Sequence, residues 1–307
     1  MDTSPTLAAS DIQDALVTTE TREVTPSLLN VGLRTHPLRF DNNATTVPRP
    51  AEEFLVASRN LRHDRETQAS VAHYFTDPVS IALAHASTVP NDGSGRIPLP
   101  RHHAPTLTLA EAIAARRSVR AFASTPLPLH QLAAVLRYAD SETAEVNVGL
   151  EDGRSTGLRL RTAPSAGGLY PIEVWIAART VAGLATGAYR YLPGHDSLET
   201  WAQADAVEDL SATCGEVSGE DLVGQAAAVL LLVANPWRSM RKYGPRGLRF
   251  VLHEAGSISQ NIHLAATATG IGSLDYSGFF DDETHQALGI DGLFRTVVHM
   301  VLLGLPA

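Results

Sequence analysis

At 307 residues, with 44% hydrophobic and 19% charged, the chain is long enough to bury a substantial core and too apolar for wholesale disorder. Its formal net charge of -9 argues against a general nucleic-acid binder, because neutralising phosphates needs a surplus of Lys and Arg. A single cysteine, Cys214, excludes an internal disulfide framework and a Cys-based zinc site, and fits a reducing cytoplasm.

The opening "MDTSPTLAASDIQDALVTTE" carries acids where a secretory signal would carry bases before an apolar run, so no signal peptide is expected. The longest apolar runs, "AAAVLLLVA" and "VVHMVLLGL", fall far short of the roughly 20 residues a membrane span needs. The expectation is a soluble cytoplasmic protein without membrane contact. Residues 1–105 are rich in Thr, Pro, Asn and Asp, and hold one helical stretch, "PAEEFLVASRNLRHDRETQASVAHYF". The breaker-rich "VPNDGSGRIPLPRHHAP" then reads as a linker. This predicts an N-terminal extension over 1–105, a partly helical arm plus linker, and a regular domain over 106–307.

The domain opens with "TLTLAEAIAARRSVRAF", where Thr108 is placed to cap a helix and Glu111 to close its capping box. "PLPLHQLAAVLRYAD" predicts a second helix with Leu129, Leu132, Val135 and Leu136 on one face. "IEVWIAAR" and "AAAVLLLVAN" predict buried strands, and "GAYRYLPGHDSLETW" a hairpin about Pro193 and Gly194. The longest helix signal is "GLRFVLHEAGSISQNIHLAATATG", with a stripe of Leu248, Val251, Ala255, Ile258, Ile262 and Ala265. Strands interleaved with helices argue for an α/β or α+β sandwich.

Four segments carry groups capable of chemistry. "ARRSVRAF" gathers Arg116, Arg117, Ser118 and Arg120 where a helix ends: forked donors that suit a phosphate, or cations that complement a helix dipole. In "PSAGGLYP" the pair Gly167 and Gly168 lets the backbone reach positive φ and a flat ligand lie against main chain, with Ser165 as a hydroxyl donor; a plain tight turn is the alternative. "TGIGSLDYSGFFDDE" lacks the third glycine of a dinucleotide fingerprint and follows a helix, so the Rossmann reading fails, while Ser277 and Gly278 suit presenting a backbone N–H. "RKYGPRGLRF" sets Lys242 beside Tyr243, where the ammonium could stabilise a phenolate base; a solvated basic loop is the alternative. The scattered histidines include no HExxH or comparable set, so no metal is expected, and the acidic neighbours of Cys214 make it a poor nucleophile.

Taken in order, "RRSVRAF", "PSAGGLYP", "GAYRYLP", "RKYGPRGLRF", "EAGSISQNIHLAATATGIG" and "VVHMVLLGLP" resemble the nitroreductase superfamily. Within it, "PSAGGLYP" and "KYG" resemble the SagB-type dehydrogenases, flavin enzymes that oxidise azoline rings to azoles in ribosomally made peptides. The resemblance spans residues 106–307. It implies an α+β fold, a mainly antiparallel sheet flanked by helices, with FMN at the interface of a homodimer. By position it carries Arg116, Ser118 and Arg120, with Arg117 as neighbour, to phosphate and ribityl contacts. Pro164, Ser165, Gly167 and Gly168 would lie along the isoalloxazine, Ser277 and Gly278 near its reactive nitrogen, and Lys242 and Tyr243 in the catalytic pair. Many relatives end in a Lys or Arg pair that clamps the phosphate; this chain has no Lys or Arg after Arg295, which leaves that role to the Arg116–Arg120 cluster with Arg246 or Arg249. The implied activity is oxidation of a thiazoline or oxazoline in a peptide or a small molecule, alongside a cyclodehydratase partner. The alternatives are an NAD(P)H-dependent nitro or quinone reductase and a non-catalytic scaffold subunit.

Overall fold

The computed structural model describes residues 49–62, 64–77, 95–101, 104–105, 107–149, 155–215 and 221–307. Most of the N-terminal extension, His102 and His103, and part of the acidic segment after Cys214 lie outside the described residues. The chain divides into two compact units, Met1–Asp64 and Arg65–Ala307. The stretch predicted as one helix is two, α1 (Arg49–Ala57) in the first unit and α2 (Arg65–Thr76) in the second. The helix stops at Ser58, whose hydroxyl turns back onto the Phe54 carbonyl at 2.5 Å, a side-chain bond that competes with helix continuation.

The second unit is built on a seven-stranded sheet, antiparallel at every pairing. Its strands are β1 (Arg96–Pro98), β5 (Ile172–Ala178), β7 (Gly187–Leu192), β8 (Ser197–Ala202), β9 (Ala228–Ala234), β10 (Gly272–Tyr276) and β11 (Thr296–Gly304), in the order β1-β8-β7-β5-β9-β11-β10. Two short pairs stand apart: β2 (Leu127–Pro128) with β6 (Val181–Ala182), and the hairpin β3 (Glu142–Gly149) with β4 (Ser155–Arg161). The segment read as a linker contributes the edge strand β1, with Ile97 opposite Leu198, so the compact unit begins N-terminal to residue 106. Its three residues and its proline keep that edge short.

Helices cover both faces of the sheet, which explains why β9 reads as an unbroken apolar run. Leu230 and Leu232 join one core with Leu132, Val135 and Leu136 of α4 (Leu129–Asp140) and Val251, Ile258 and Ile262 of α8 (Gly247–Ala268). The intervening Val229, Leu231 and Val233 join the other core, with residues of α5 (Ala204–Ala212), α6 (Leu222–Gln225) and α9 (Asp281–Leu288). A strand buried on both faces shows no polar alternation.

Three local features place the functional segments. Helix α3 (Leu109–Ala115) starts at the predicted capping box, with the Thr108 N–H donating to Glu111 at 2.8 Å, and ends where Arg116 leaves helical geometry. Helix α8 ends at Gly270, φ 73°, with the Ile271 N–H reaching the Ala266 carbonyl at 2.8 Å; Gly270 is a helix-terminating glycine, which gives the failed dinucleotide fingerprint its structural explanation. Beyond Arg120 the chain lies along the C-terminus, with Ala123 N–H on Leu305 O and Ala307 N–H on Ala121 O. Among the described residues no helix is long and apolar enough to cross a membrane.

Candidate active site

Pro164, Ser165, Gly167 and Gly168 form a tight turn that feeds β5 from the end of the sheet where β9 stops. Gly167 and Gly168 take φ of 67° and 65°, conformations that cost an L side chain energy. Tyr170 takes φ 45° despite its side chain and is held from three directions. Its N–H donates to Ser165 Oγ at 2.9 Å, its hydroxyl accepts the Arg161 N–H at 3.0 Å, and the Arg161 guanidinium sits 4.7 Å from its ring centre. Pro171 O accepts the Asn235 N–H at 2.7 Å and Leu169 O accepts Arg238 Nε at 2.9 Å, so the turn is fastened to the segment that follows β9.

That segment is α7 (Pro236–Tyr243), which starts on a proline suited to the first helical position and ends at Gly244, φ 57°. Arg241 points out, whereas Lys242 is 3% exposed. A Cβ placed on Gly167 would lie 2.6 Å from the Tyr243 hydroxyl and 2.9 Å from Lys242 Nζ. The glycine turn and the Lys-Tyr pair, far apart in sequence, thus face each other over a strip of backbone that carries no side chain.

The local medium sets the chemistry of the pair. Burial lowers the Lys242 pKa and raises that of Tyr243. The shift moves the Lys242 amine toward the range of a usable base, and the Tyr243 phenol holds its proton more tightly. Burial penalises both charges, which works against the ammonium-stabilised phenolate that adjacency in sequence offers. Lys242 Nζ stands 5.6 Å and 5.3 Å from the ring centres of Tyr74 and Tyr243, and Tyr243 packs edge-on against Phe250 at 4.9 Å. Tyr74 belongs to α2, which docks on α7 through Ser70 Oγ donating to the Arg241 carbonyl at 2.9 Å. Nothing in the sequence pattern points to Tyr74 as part of the site.

The arginine cluster is built differently. Arg117 folds back onto the Ala114 and Arg116 carbonyls at 2.9 and 2.7 Å, the helix-end role. Ser118 and Arg120 are exposed and Arg116 half-buried. The strip is aligned by Val119 N–H donating to Ser273 O at 3.0 Å, with Ser118 beside Ser273 of β10. Ser277 and Gly278 follow β10 and are exposed, the Gly278 carbonyl taking the Gly215 N–H at 2.9 Å. The glycine turn and Gly278 lie at the same end of the sheet, three strand spacings apart, about 14 Å. Arg295 is turned inward, over the Trp201 ring at 5.6 Å and 3.9 Å from Glu173, while Arg246 lies 5.8 Å from the Phe250 ring centre. Behind the arginine strip, Asp275 accepts from His299 at 2.6 Å and from Ser259 at 2.8 Å, with His263 at 2.8 Å. The His263 and His299 hydrogen bonds hold its carboxyl well below the usual range.

In chemical terms the site offers a bare, flat wall, an amine and a phenol aimed across it, and forked cationic donors at the far side of the sheet. A backbone strip without a side chain suits close contact with a planar ring, and guanidiniums suit an anionic tail; seating a ring over Gly167 requires the Tyr243 hydroxyl and Lys242 Nζ, 2.6 and 2.9 Å from that Cβ position, to swing aside. The sequence pattern of the nitroreductase family matches residues 113–304. The chain belongs to the nitroreductase family. Membership makes it a flavin-dependent oxidoreductase in general terms and accounts for the antiparallel sheet with flanking helices.

Among its relatives, a Methanocaldococcus jannaschii protein named as a nitroreductase is 33% identical over 184 residues, which cover 60% of this chain and 85% of the relative. The microcin B17-processing protein McbC of Escherichia coli is 30% identical over 148 residues, 46% of this chain and 52% of McbC. Among solved structures, a nitroreductase-named protein of Anabaena variabilis matches with a TM-score of 0.55 and 26% identity, over 69% of this chain and 42% of the other. The E. coli McbBCD complex with truncated pro-MccB17 matches with a TM-score of 0.51 and 20% identity, over 78% and 93%, which is a likeness of fold.

Proposed function

We propose that this protein is an FMN-dependent dehydrogenase that oxidises an azoline-type ring, thiazoline or oxazoline, to the azole in a ribosomally made peptide. The observation that carries the reading is the approach of Lys242 Nζ and the Tyr243 hydroxyl to the space over Gly167. The similarity to McbC, named for microcin B17 processing, points the same way, and a partner complex fits the likeness to McbBCD.

In this reading Pro164, Ser165, Gly167 and Gly168 line the isoalloxazine, Arg116, Ser118 and Arg120 hold the phosphate and ribityl chain, Arg117 supports them by closing the helix, and Ser277 and Gly278 face the ring's reactive nitrogen. A homodimer completes the sites. FMN held by these residues would supply the two-electron oxidation, as acceptor of the hydride lost from the substrate ring carbon, with dioxygen as the final electron acceptor. Lys242, whose basicity burial lowers, takes the proton that leaves the adjacent ring atom. Tyr243, a phenol, orients the ring by donating a hydrogen bond. The buried amine and the aromatic rings of Tyr74, Tyr243 and Phe250 keep water from that proton.

A second reading, an NAD(P)H-driven nitro or quinone reductase, is favoured by the 33% identity to the M. jannaschii relative. The test is anaerobic: FMN-loaded protein mixed with an azoline-containing peptide or with NADPH. Bleaching of the flavin by the peptide, with loss of two hydrogens from its mass, supports the dehydrogenase. Fast bleaching by NADPH alone, with the peptide inert, replaces it with the reductase, and failure to take up FMN leaves the scaffold reading.

A further inference from the structure

Glu254 is a buried acid that the proposed chemistry does not use. It is 3% exposed and occupies a position on the inward stripe of α8, between Val251 and Ile258. Its carboxyl is fastened to the exit of the glycine turn, where Oε1 accepts the Ile172 N–H at 3.2 Å as β5 begins, and it neighbours Ser165, whose Oγ takes the Tyr170 N–H. Oε2 is buried with no hydrogen-bond partner among the described residues. The titratable and charged groups facing it are Asp140 of α4, Arg161 of β4, Tyr170 of the turn and Arg238 of α7. Arg161 is already paired with Asp140 at 2.8 Å.

We propose that Glu254 is a proton-linked positioning residue: its protonated carboxyl holds the glycine turn in the shape that receives the flavin, and its ionisation loosens that turn. An anion here would place charge on a buried Oε2 without a hydrogen-bond donor among the described residues, only partly offset by Arg161 and Arg238; admitting water or drawing Arg161 away from Asp140 would relieve it, and either movement displaces the segment that shapes Tyr170. Burial, foremost, moves the Glu254 pKa to about 8, with Asp140 acting in the same direction and the Ser165, Ile172 and Arg161 contacts opposing. A glutamate raised this far in the folded state stabilises the fold below its unfolded pKa, and that contribution is lost as pH rises toward 8.

The inference rests on the flavin reading for its consequence and has a cofactor-free arm. In the apo-protein, infrared difference spectra should show a protonated-carboxyl band that titrates near pH 8 and is missing from Glu254→Gln, and wild-type Tm should fall between about pH 5 and 8 more steeply than that of the variant. With FMN, if only the protonated form binds, wild-type affinity should drop about tenfold by pH 9, one unit above the pKa. Glu254→Gln, which keeps the shape without the titration, should bind near the wild-type level at both pH values, and Glu254→Ala weakly at both. Parallel pH dependence in wild type and Glu254→Gln, or no titrating band, overturns the proposal. Absence of FMN binding by wild-type protein at every pH defeats the flavin reading and leaves the apo-protein arm to decide the role of Glu254.

Discussion

The glycine turn and the arginine strip, both assigned to the flavin in the proposed reading, differ in how the protein holds them. The turn is tied down at several points: Tyr170 by Ser165 and Arg161, Leu169 by Arg238, Pro171 by Asn235, Ile172 by Glu254. At the strip the backbone is fixed through Val119 and Ser273 and the Arg117 side chain folds onto the helix end, while Ser118 and Arg120 stand in solvent. A surface that must contact a ring closely benefits from being rigid before the ring arrives, since positioning paid in the fold is not lost on binding. A phosphate is recognised by charge over a longer range, and flexible guanidiniums can close on it afterwards.

The contrast can be broken most sharply at Lys242. Lys242→Ala should retain FMN and the fold and lower kcat for ring oxidation by about 10²–10⁴, the usual worth of a positioned base. An unchanged kcat in single-turnover kinetics would remove the base from the turn's side of the comparison. Gly167→Ala should come next. The new methyl meets the ends of two flexible side chains, which can move aside, but φ 67° remains strained, so the expected loss is about 1–2 kcal/mol of stability together with displacement of the Lys-Tyr pair. Chemical denaturation and a flavin absorbance shift would read both effects.

On the strip, Arg116→Ala and Arg120→Ala should each weaken FMN about tenfold, reduce its salt dependence and leave Tm unchanged, because exposed guanidiniums contribute little to folding. A Tm loss comparable to that of Gly167→Ala would show that the strip is as deeply built in as the turn. The smallest effect is expected at Asp275, whose carboxyl lies below its ordinary pKa through the His263 and His299 bonds and is half exposed. A depressed acid stabilises the fold above its unfolded pKa and loses that contribution as pH falls. Wild type should therefore lose stability relative to Asp275→Asn below about pH 4, by about 1 kcal/mol after screening, as read from acid denaturation curves.

The site was legible in pieces. "PSAGG" announced positive φ, "RRSVR" a cationic patch and "KY" a proton-transfer pair, each from residue type and short-range order alone. Glu254 left a signal that the apolar-stripe reading passed over: an acid three residues after Val251 and four before Ile258 sits on the buried side of an amphipathic helix. Tyr74 left none, since a tyrosine near the end of a polar helix is ordinary. The predicted linker concealed β1 because three residues between breakers are too few to show a strand period.

By itself the sequence determined the local chemistry: the caps of α3, the double-sided burial of β9, the stop at Gly270 and the order of motifs that marks the family. Those depend on interactions within a few residues or on patterning along one element. The tertiary structure alone decided that the turn and the Lys-Tyr pair share one space and that Tyr243 stays a phenol. It likewise decided that Glu254 lies beneath the glycines. Each follows from which strand neighbours which in the sheet and how much water is excluded there, quantities that no stretch of one chain segment contains.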